Sequence, residues 1–274
     1  MKNMLGGVLA LLIICSFSAS TDLRQQFEKV VNKDVNGNAG QVLLSIGQEF
    51  IGIPYVAHTL ENENGEQLVC RFDAFDCTTL VENLVALTRS KMLNYTFEQF
   101  KEELTKVRYK NGQIEDYASR LHYFTDWAYE NEKRGVLKDI TKELGGVRTQ
   151  KKIHFMTTKS ELYKGITSKE ILGHLRESEQ QMNARERYYI PVSNIAAIEN
   201  HLKDGDIIGI TSTIEGLDCN HQGVVKKKGN KAYLFHASSK EMKVVLSEQT
   251  LASYVGSAKR NSGIIVIRLN EPNF

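Results

Sequence analysis

The chain has 274 residues, 41% apolar and 25% charged, with 35 Lys and Arg against 33 Asp and Glu for a formal charge of +2. This is ordinary globular composition, which excludes disordered, collagen-like and coiled-coil chains. The even charge balance provides no field to concentrate a polyanion, and no Walker or dinucleotide glycine pattern appears, so nucleic-acid and nucleotide partners are not indicated.

The first element is a secretory signal over 1–20: Lys2, an apolar run from Leu5 to Ile14, then the small residues Ser18, Ala19 and Ser20. Cys15 inside that run is an alternative lipid-attachment site, although bulky Ile14 precedes it where a small residue is usual. No later stretch approaches the roughly 20 apolar residues needed to span a bilayer. The expectation is therefore a periplasmic or secreted protein with no membrane span in the mature chain, which reads as one domain over 21–274. Helices are predicted over 41–51, around Leu80 to Leu87, after a Thr96–Gln99 capping box, and over about 120–133, 168–181 and 194–202. After the turn cluster Asp204-Gly205-Asp206 the pattern changes to strands over 207–211, 222–226, 232–237, 243–246 and 264–269. Gly229-Asn230 separates the second and third of these as a hairpin turn. A helical N-terminal half packed on an antiparallel C-terminal sheet or barrel is an α+β arrangement.

Three cysteines follow the signal: Cys70, Cys77 and Cys219. An odd number in an exported chain leaves at least one free thiol or an intermolecular bond. Cys77 sits in Asp76-Cys77-Thr78-Thr79, just ahead of the Leu80 helix, where unpaired N–H groups are predicted to stabilise a thiolate and lower its pKa. His221 and His236 lie on the two strands of the predicted hairpin and can face each other, one accepting the thiol proton and the other fixing its tautomer. Each residue has a structural alternative. Cys77 can be simple packing, Cys70 and Cys219 can form a disulfide, and Cys70, Cys77, Cys219 and His221 together offer four zinc ligands at spacings unlike those of common zinc loops.

In chain order, Ile51-Gly52-Ile53-Pro54-Tyr55-Val56, Asp76-Cys77-Thr78-Thr79, His221-Gln222-Gly223-Val224-Val225 and Phe235-His236-Ala237-Ser238 resemble the NlpC-type papain-like bacterial cell-wall cysteine hydrolases. The resemblance implies a papain-like fold with Cys77 as nucleophile, His221 as base, His236 as orienting residue and Tyr55 beside the oxyanion site. It calls for no metal and no cofactor. Two features depart from minimal members: Thr78-Thr79 follows the cysteine in place of Ser-Gly, and a large helical insertion over about 91–205 precedes His221. Within the insertion, the stretch Tyr117 to Trp127 and the segment Tyr188-Tyr189-Ile190-Pro191 look like the N-acetylmuramoyl-L-alanine amidase-like branch. That branch implies a peptidoglycan or muropeptide substrate, cut between N-acetylmuramic acid and L-alanine. The alternatives are a γ-D-glutamyl–diamino acid endopeptidase and, in another class, a non-catalytic cell-wall-binding protein. The oligomeric state is not indicated.

The insertion also offers recognition chemistry. Arg120, His122 and Tyr123, with Tyr117 one turn before, are expected on one helix as substrate-binding residues, Arg120 gripping a stem-peptide carboxylate with its guanidinium fork. A helix packing Leu121, Phe124 and Trp127 into the core is the plainer reading of the apolar members.

Overall fold

The computed structural model describes residues 22–62 and 65–272. The signal segment 1–20 and Cys15 lie outside the described residues. Helix α1 covers 22–31, followed by α2 (Ala39–Gln48), α3 (Cys77–Met92) and α4 (Phe97–Arg108). Two of these begin with a capping box, the one at α4 where the sequence places it. Thr96 and Gln99 bond reciprocally at the start of α4, and Asp76 and Thr79 do the same at the start of α3. In α3 the spacing of Leu80, Val81, Leu84, Val85 and Leu87 buries all five against α2, α4 and the sheet. Each such side chain contributes about 1.5–3 kcal/mol of transfer free energy.

The middle of the chain holds α5 (Phe124–Lys133), β1 (Leu137–Asp139), β2 (Val147–Thr149), α6 (Phe155–Thr158), α7 (Lys169–Ala184), β3 (Arg187–Pro191) and α8 (Val192–Ile198). The C-terminal part holds β4 (Ile207–Ser212), β5 (Cys219–Lys228), β6 (Lys231–Ser238), β7 (Lys243–Thr250), α9 (Leu251–Gly256) and β8 (Asn261–Leu269). The order β2-β3-β8-β4-β5-β6-β7 makes one antiparallel sheet, with β1 also on β8. The architecture is thus mixed α+β, as expected. The two-residue hairpin lies between Lys228 and Lys231, where Gly229 takes a φ of +58°.

The sheet is covered on both faces. Ile207, Val224, Phe235, Val244 and Ile265 face α2–α4, while Ile208, Ile210, Val225, Leu234 and Val266 face α8 and α9. A third cluster, including Tyr117, Tyr123, Met156 and Met182, fills the insertion.

The insertion differs from its sequence reading in two ways. It is not purely helical, because β1, β2 and β3 join the sheet through β8 and β3. Nor do Tyr117 and Arg120 share a helix with Trp127. Asp116 caps a single 3-10 turn, Tyr117–Ser119, by accepting from the N–H groups of Ala118 and Ser119. Arg120 is then extended and bridged to Tyr109, and α5 begins only at Phe124.

Candidate active site

The β5–β6 ladder runs from Lys228↔Lys231 to Val224↔Phe235 and stops, so residues 219–223 pair with β4 alone. The freed N–H of Gln222 and the backbone N–H of Cys77 itself are aimed at the Cys77 sulfur, and together with the Thr78 side chain they favour its thiolate. The Gln222 side chain donates to Thr78 Oγ1 at 2.8 Å, fastening the start of α3 to β5. Cys77 is therefore the first residue of a capped helix, set where two strands part, and it is partly exposed.

His221 Nε2 lies 2.7 Å from His236 Nδ1, with the two rings nearly perpendicular at 85°. Tyr254 on α9 packs edge-on against His236 at 5.1 Å and lies 6.4 Å from His221. The close approach of the strands depends on Gly223, since a Cβ there would sit 2.7 Å from the Phe235 carbonyl oxygen and 2.9 Å from His236 Cβ. Tyr55 is held by the edge of β7: its N–H donates to the Met242 carbonyl at 3.0 Å, the Gly52 N–H donates to the Val244 carbonyl at 2.9 Å, and the Val244 N–H donates to the Ile53 carbonyl at 2.8 Å. Its phenol is within electrostatic reach of Cys77 and Asp76, and burial together with those groups pushes its pKa up. The structure thus sets Cys77 against Gln222, the neighbour of His221 on β5, with His236 against His221 and with Tyr55 and Tyr254 in electrostatic reach of the sulfur. Gln222, Thr78 and Tyr254 had no individual signal in the sequence.

The protonation of the thiol differs from the sequence expectation of a lowered pKa. Burial, with the Asp76 charge beside it, pushes the Cys77 thiol up to about 12 despite the two N–H groups aimed at the sulfur. Burial and its neighbours hold His221 down to about 3, and burial holds His236 down to about 4. These surroundings favour the neutral form of the thiol and of both imidazoles. All three described cysteines, Cys70, Cys77 and Cys219, are free. Among the described residues no three His, Cys, Asp or Glu side chains gather where they could hold a metal ion.

The proposed recognition residues separate. Arg120 and His122 line a pocket of about 150 Å³ that reaches Asp76 and Thr78. Arg120 is 5% exposed, and Glu61 at 3.1 Å and Glu66 at 3.5 Å supply the carboxylates it was expected to take from a substrate. Its guanidinium also covers the Tyr117 ring at 4.7 Å. The His122 Nε2–H donates to the Tyr117 carbonyl at 2.7 Å. Tyr123 points away into the third cluster, bonding Glu179 and the Met156 N–H. A larger cleft of about 450 Å³ opens between β2, β3, β4 and the start of β8.

His122 is likewise held neutral, down to about 3, chiefly by burial and then by Arg120. Imidazoles with native values near 3–4 and an ordinary value of 6.5 leave the unfolded chain with more bound protons between those limits. Stability from these groups is complete above pH 6.5 and is lost as pH falls towards 3. The melting temperature should therefore drop over that window. His122→Gln, whose amide can still donate to the Tyr117 carbonyl, should make the drop shallower; an unchanged slope would show that His122 does not take part.

A thiol at a helix start beside a hydrogen-bonded imidazole pair is an arrangement suited to nucleophilic acyl transfer on an α+β scaffold. A family model described as N-acetylmuramoyl-L-alanine amidase-like matches residues 45–264. A solved N-acetylmuramoyl-L-alanine amidase from Bacteroides uniformis is 37% identical, with a TM-score of 0.81, over 86% of this chain and 100% of that one. A Bacteroides fragilis protein whose name suggests a xylanase is 33% identical, with a TM-score of 0.75, over 81% of this chain and 98% of its own. A Legionella pneumophila protein shares the fold at 24% identity, with a TM-score of 0.71, over 93% and 96%. The search of curated proteins found no match. The chain belongs to the N-acetylmuramoyl-L-alanine amidase-like family.

Proposed function

We propose that this chain is a papain-like, NlpC-type cysteine amidase that acts outside the cytoplasm. It hydrolyses the amide between N-acetylmuramic acid and L-alanine in peptidoglycan or its muropeptide fragments. The observation that carries the reading is the 2.7 Å bond between His221 and His236 beside the helix-start thiol of Cys77. With His221 Nε2–H donating to His236 Nδ1, His221 Nδ1 is left bare to take the Cys77 proton as sulfur attacks the lactyl carbonyl. Thr79 N–H is taken by the Asp76 cap, which leaves the N–H groups of Cys77 and Thr78 to face the developing oxyanion. The C–N bond then breaks, and the proton on His221 passes to the departing L-alanine nitrogen. Water, deprotonated by His221, hydrolyses the thioester, releasing a muramoyl carboxylate and restoring the thiol. The xylanase-like name of one relative points to glycoside cleavage, which ordinarily needs two facing carboxylates. The carboxylate beside Cys77 is Asp76, tied up in the cap with Thr79, and the groups the sequence and structure place around it are otherwise imidazoles and phenols, which supports acyl transfer.

Incubation of the purified protein with defined muropeptides, followed by mass spectrometry, tests the reading. The expected products are a stem peptide with a free L-alanine amine and a sugar bearing a free lactyl carboxylate. Cleavage after γ-D-glutamate would instead establish the endopeptidase. Binding without turnover would establish the non-catalytic alternative.

A further inference from the structure

The 450 Å³ cleft contains chemistry that the acyl-transfer site does not use. Lys151 and Arg187 line it, both half-buried, and among the described residues neither has a carboxylate within 4.0 Å. Arg187 is fixed on one side, where Nη2 donates to the Lys151 carbonyl and to Asn183 Oδ1, while its buried Nε has no partner. Lys151 Nζ donates to the Ser212 carbonyl, which leaves further N–H groups to offer. The carboxylate within electrostatic reach of both cations is Asp218, whose Oδ2 is already engaged by the Thr125 N–H and hydroxyl at 2.9 and 3.0 Å. Glu215 sits exposed at the rim, where water screens it. Removing cations from water without a paired anion is costly, and both side chains lose some basicity through burial. An anionic ligand would relieve that cost.

The cleft is also close to the chemistry. Thr211 on its wall pairs in register with Cys219, and Cys219 lies within electrostatic reach of both the Cys77 thiol and the Lys151 ammonium. Tyr188 on β3 also lines the cleft. The muramic lactyl carboxyl is consumed in the amide under attack, so the negative charge nearest that bond on the substrate is the α-carboxylate of the second stem residue, D-glutamate. We propose that this cleft is the subsite for the peptide arm, with Lys151 and Arg187 binding that α-carboxylate. The proposal rests on the amidase reading above and names the substrate feature that the site selects. It transfers to Lys151 and Arg187 the task that the sequence assigned to Arg120, whose charge Glu61 and Glu66 already meet.

The experiment compares two substrates, N-acetylmuramoyl-L-alanyl-D-glutamate and its α-carboxamide, on the parent, Lys151→Met, Arg187→Gln and the double variant, with thermal melts on each. A charge-assisted hydrogen bond supports a preference of roughly ten- to a hundredfold in kcat/KM for the carboxylate. The preference should shrink in each single variant and vanish in the double, the carboxylate substrate losing more kcat/KM than the carboxamide. No preference in the parent, or a full preference kept in the folded double variant, overturns the proposal. In parallel, the dipeptide L-alanyl-D-glutamate is titrated calorimetrically into the parent and the double variant. Heat seen with the parent and lost in the variant supports the subsite even if neither muramoyl substrate is cleaved, an outcome that would sink the amidase reading alone. No heat with either protein overturns the subsite.

Discussion

Cys77→Ala should lower kcat on a muramoyl peptide by at least about three orders of magnitude while leaving the melting temperature nearly unchanged. The fold does not depend on the sulfur. Helix α3 is capped by the reciprocal Asp76–Thr79 bonds, at 2.8 and 2.9 Å, and pinned to β5 by the Gln222 side chain on Thr78 Oγ1, and these three bonds do not involve Cys77 Sγ. The loss would therefore report chemistry. Cys77→Ser keeps the shape but offers a poorer nucleophile, and its loss should approach that of alanine. Activity within a few-fold of the parent in a folded Cys77→Ala would remove the thiol from the mechanism. The protonation state makes a second, independent prediction. With burial pushing the thiol up to about 12 and His221 down to about 3, the expected resting state is a neutral thiol and a neutral imidazole. Iodoacetamide labelling of Cys77 should then climb steadily from pH 5 to 9. A rate plateau at mildly acid pH would show a resting thiolate and restore the lowered pKa expected from the helix start.

That contrast shows which physical signals a sequence carries. Capping boxes, the Gly229-Asn230 hairpin and the turn at Asp204–Asp206 are written in adjacent residues, and the structure places them where their spacing puts them. The thiol's surroundings are not local. The helix-start N–H groups can be read from Asp76-Cys77-Thr78-Thr79, but the burial that outweighs them comes from packing against β5. The same holds for Arg120. Its guanidinium fork suits a carboxylate of the substrate, yet the carboxylates it meets, Glu61 and Glu66, lie far back in the chain, in a loop with no periodic pattern to place it. Strands β1 and β2 have three residues each and β3 five, too short for an alternating pattern to stand out, so the insertion reads as helical until the β8 ladder recruits it. Gln222 shows another limit. Its side chain reads as an ordinary polar residue on a strand, and it matters because the strands part beside it.

His221→Ala should cost kcat about a hundred- to ten-thousandfold, the usual worth of a positioned general base. His236→Ala should cost no more than that, since its imidazole touches His221 and not the thiol. The 2.7 Å contact lets His236 accept from His221 Nε2–H, keeping the bare nitrogen towards Cys77, and Tyr254 braces the ring that accepts it. Removing the acceptor leaves a base that can rotate or adopt the wrong tautomer, so kcat should fall while KM stays near the parent value. His236→Asn, which restores an acceptor oxygen, should recover part of the loss. A merely structural histidine would instead lower the melting temperature and show no rescue. Gly223→Ala tests the same alignment from the backbone. Its added methyl would meet the Phe235 carbonyl at 2.7 Å and His236 Cβ at 2.9 Å, atoms that cannot yield without moving the strand that carries His236. The variant should therefore lose kcat in the same sense as His236→Ala, and combining the two should cost much less than the product of the separate losses, because both act through one hydrogen bond. Full multiplicative loss in the double variant would show that Gly223 and His236 serve different steps.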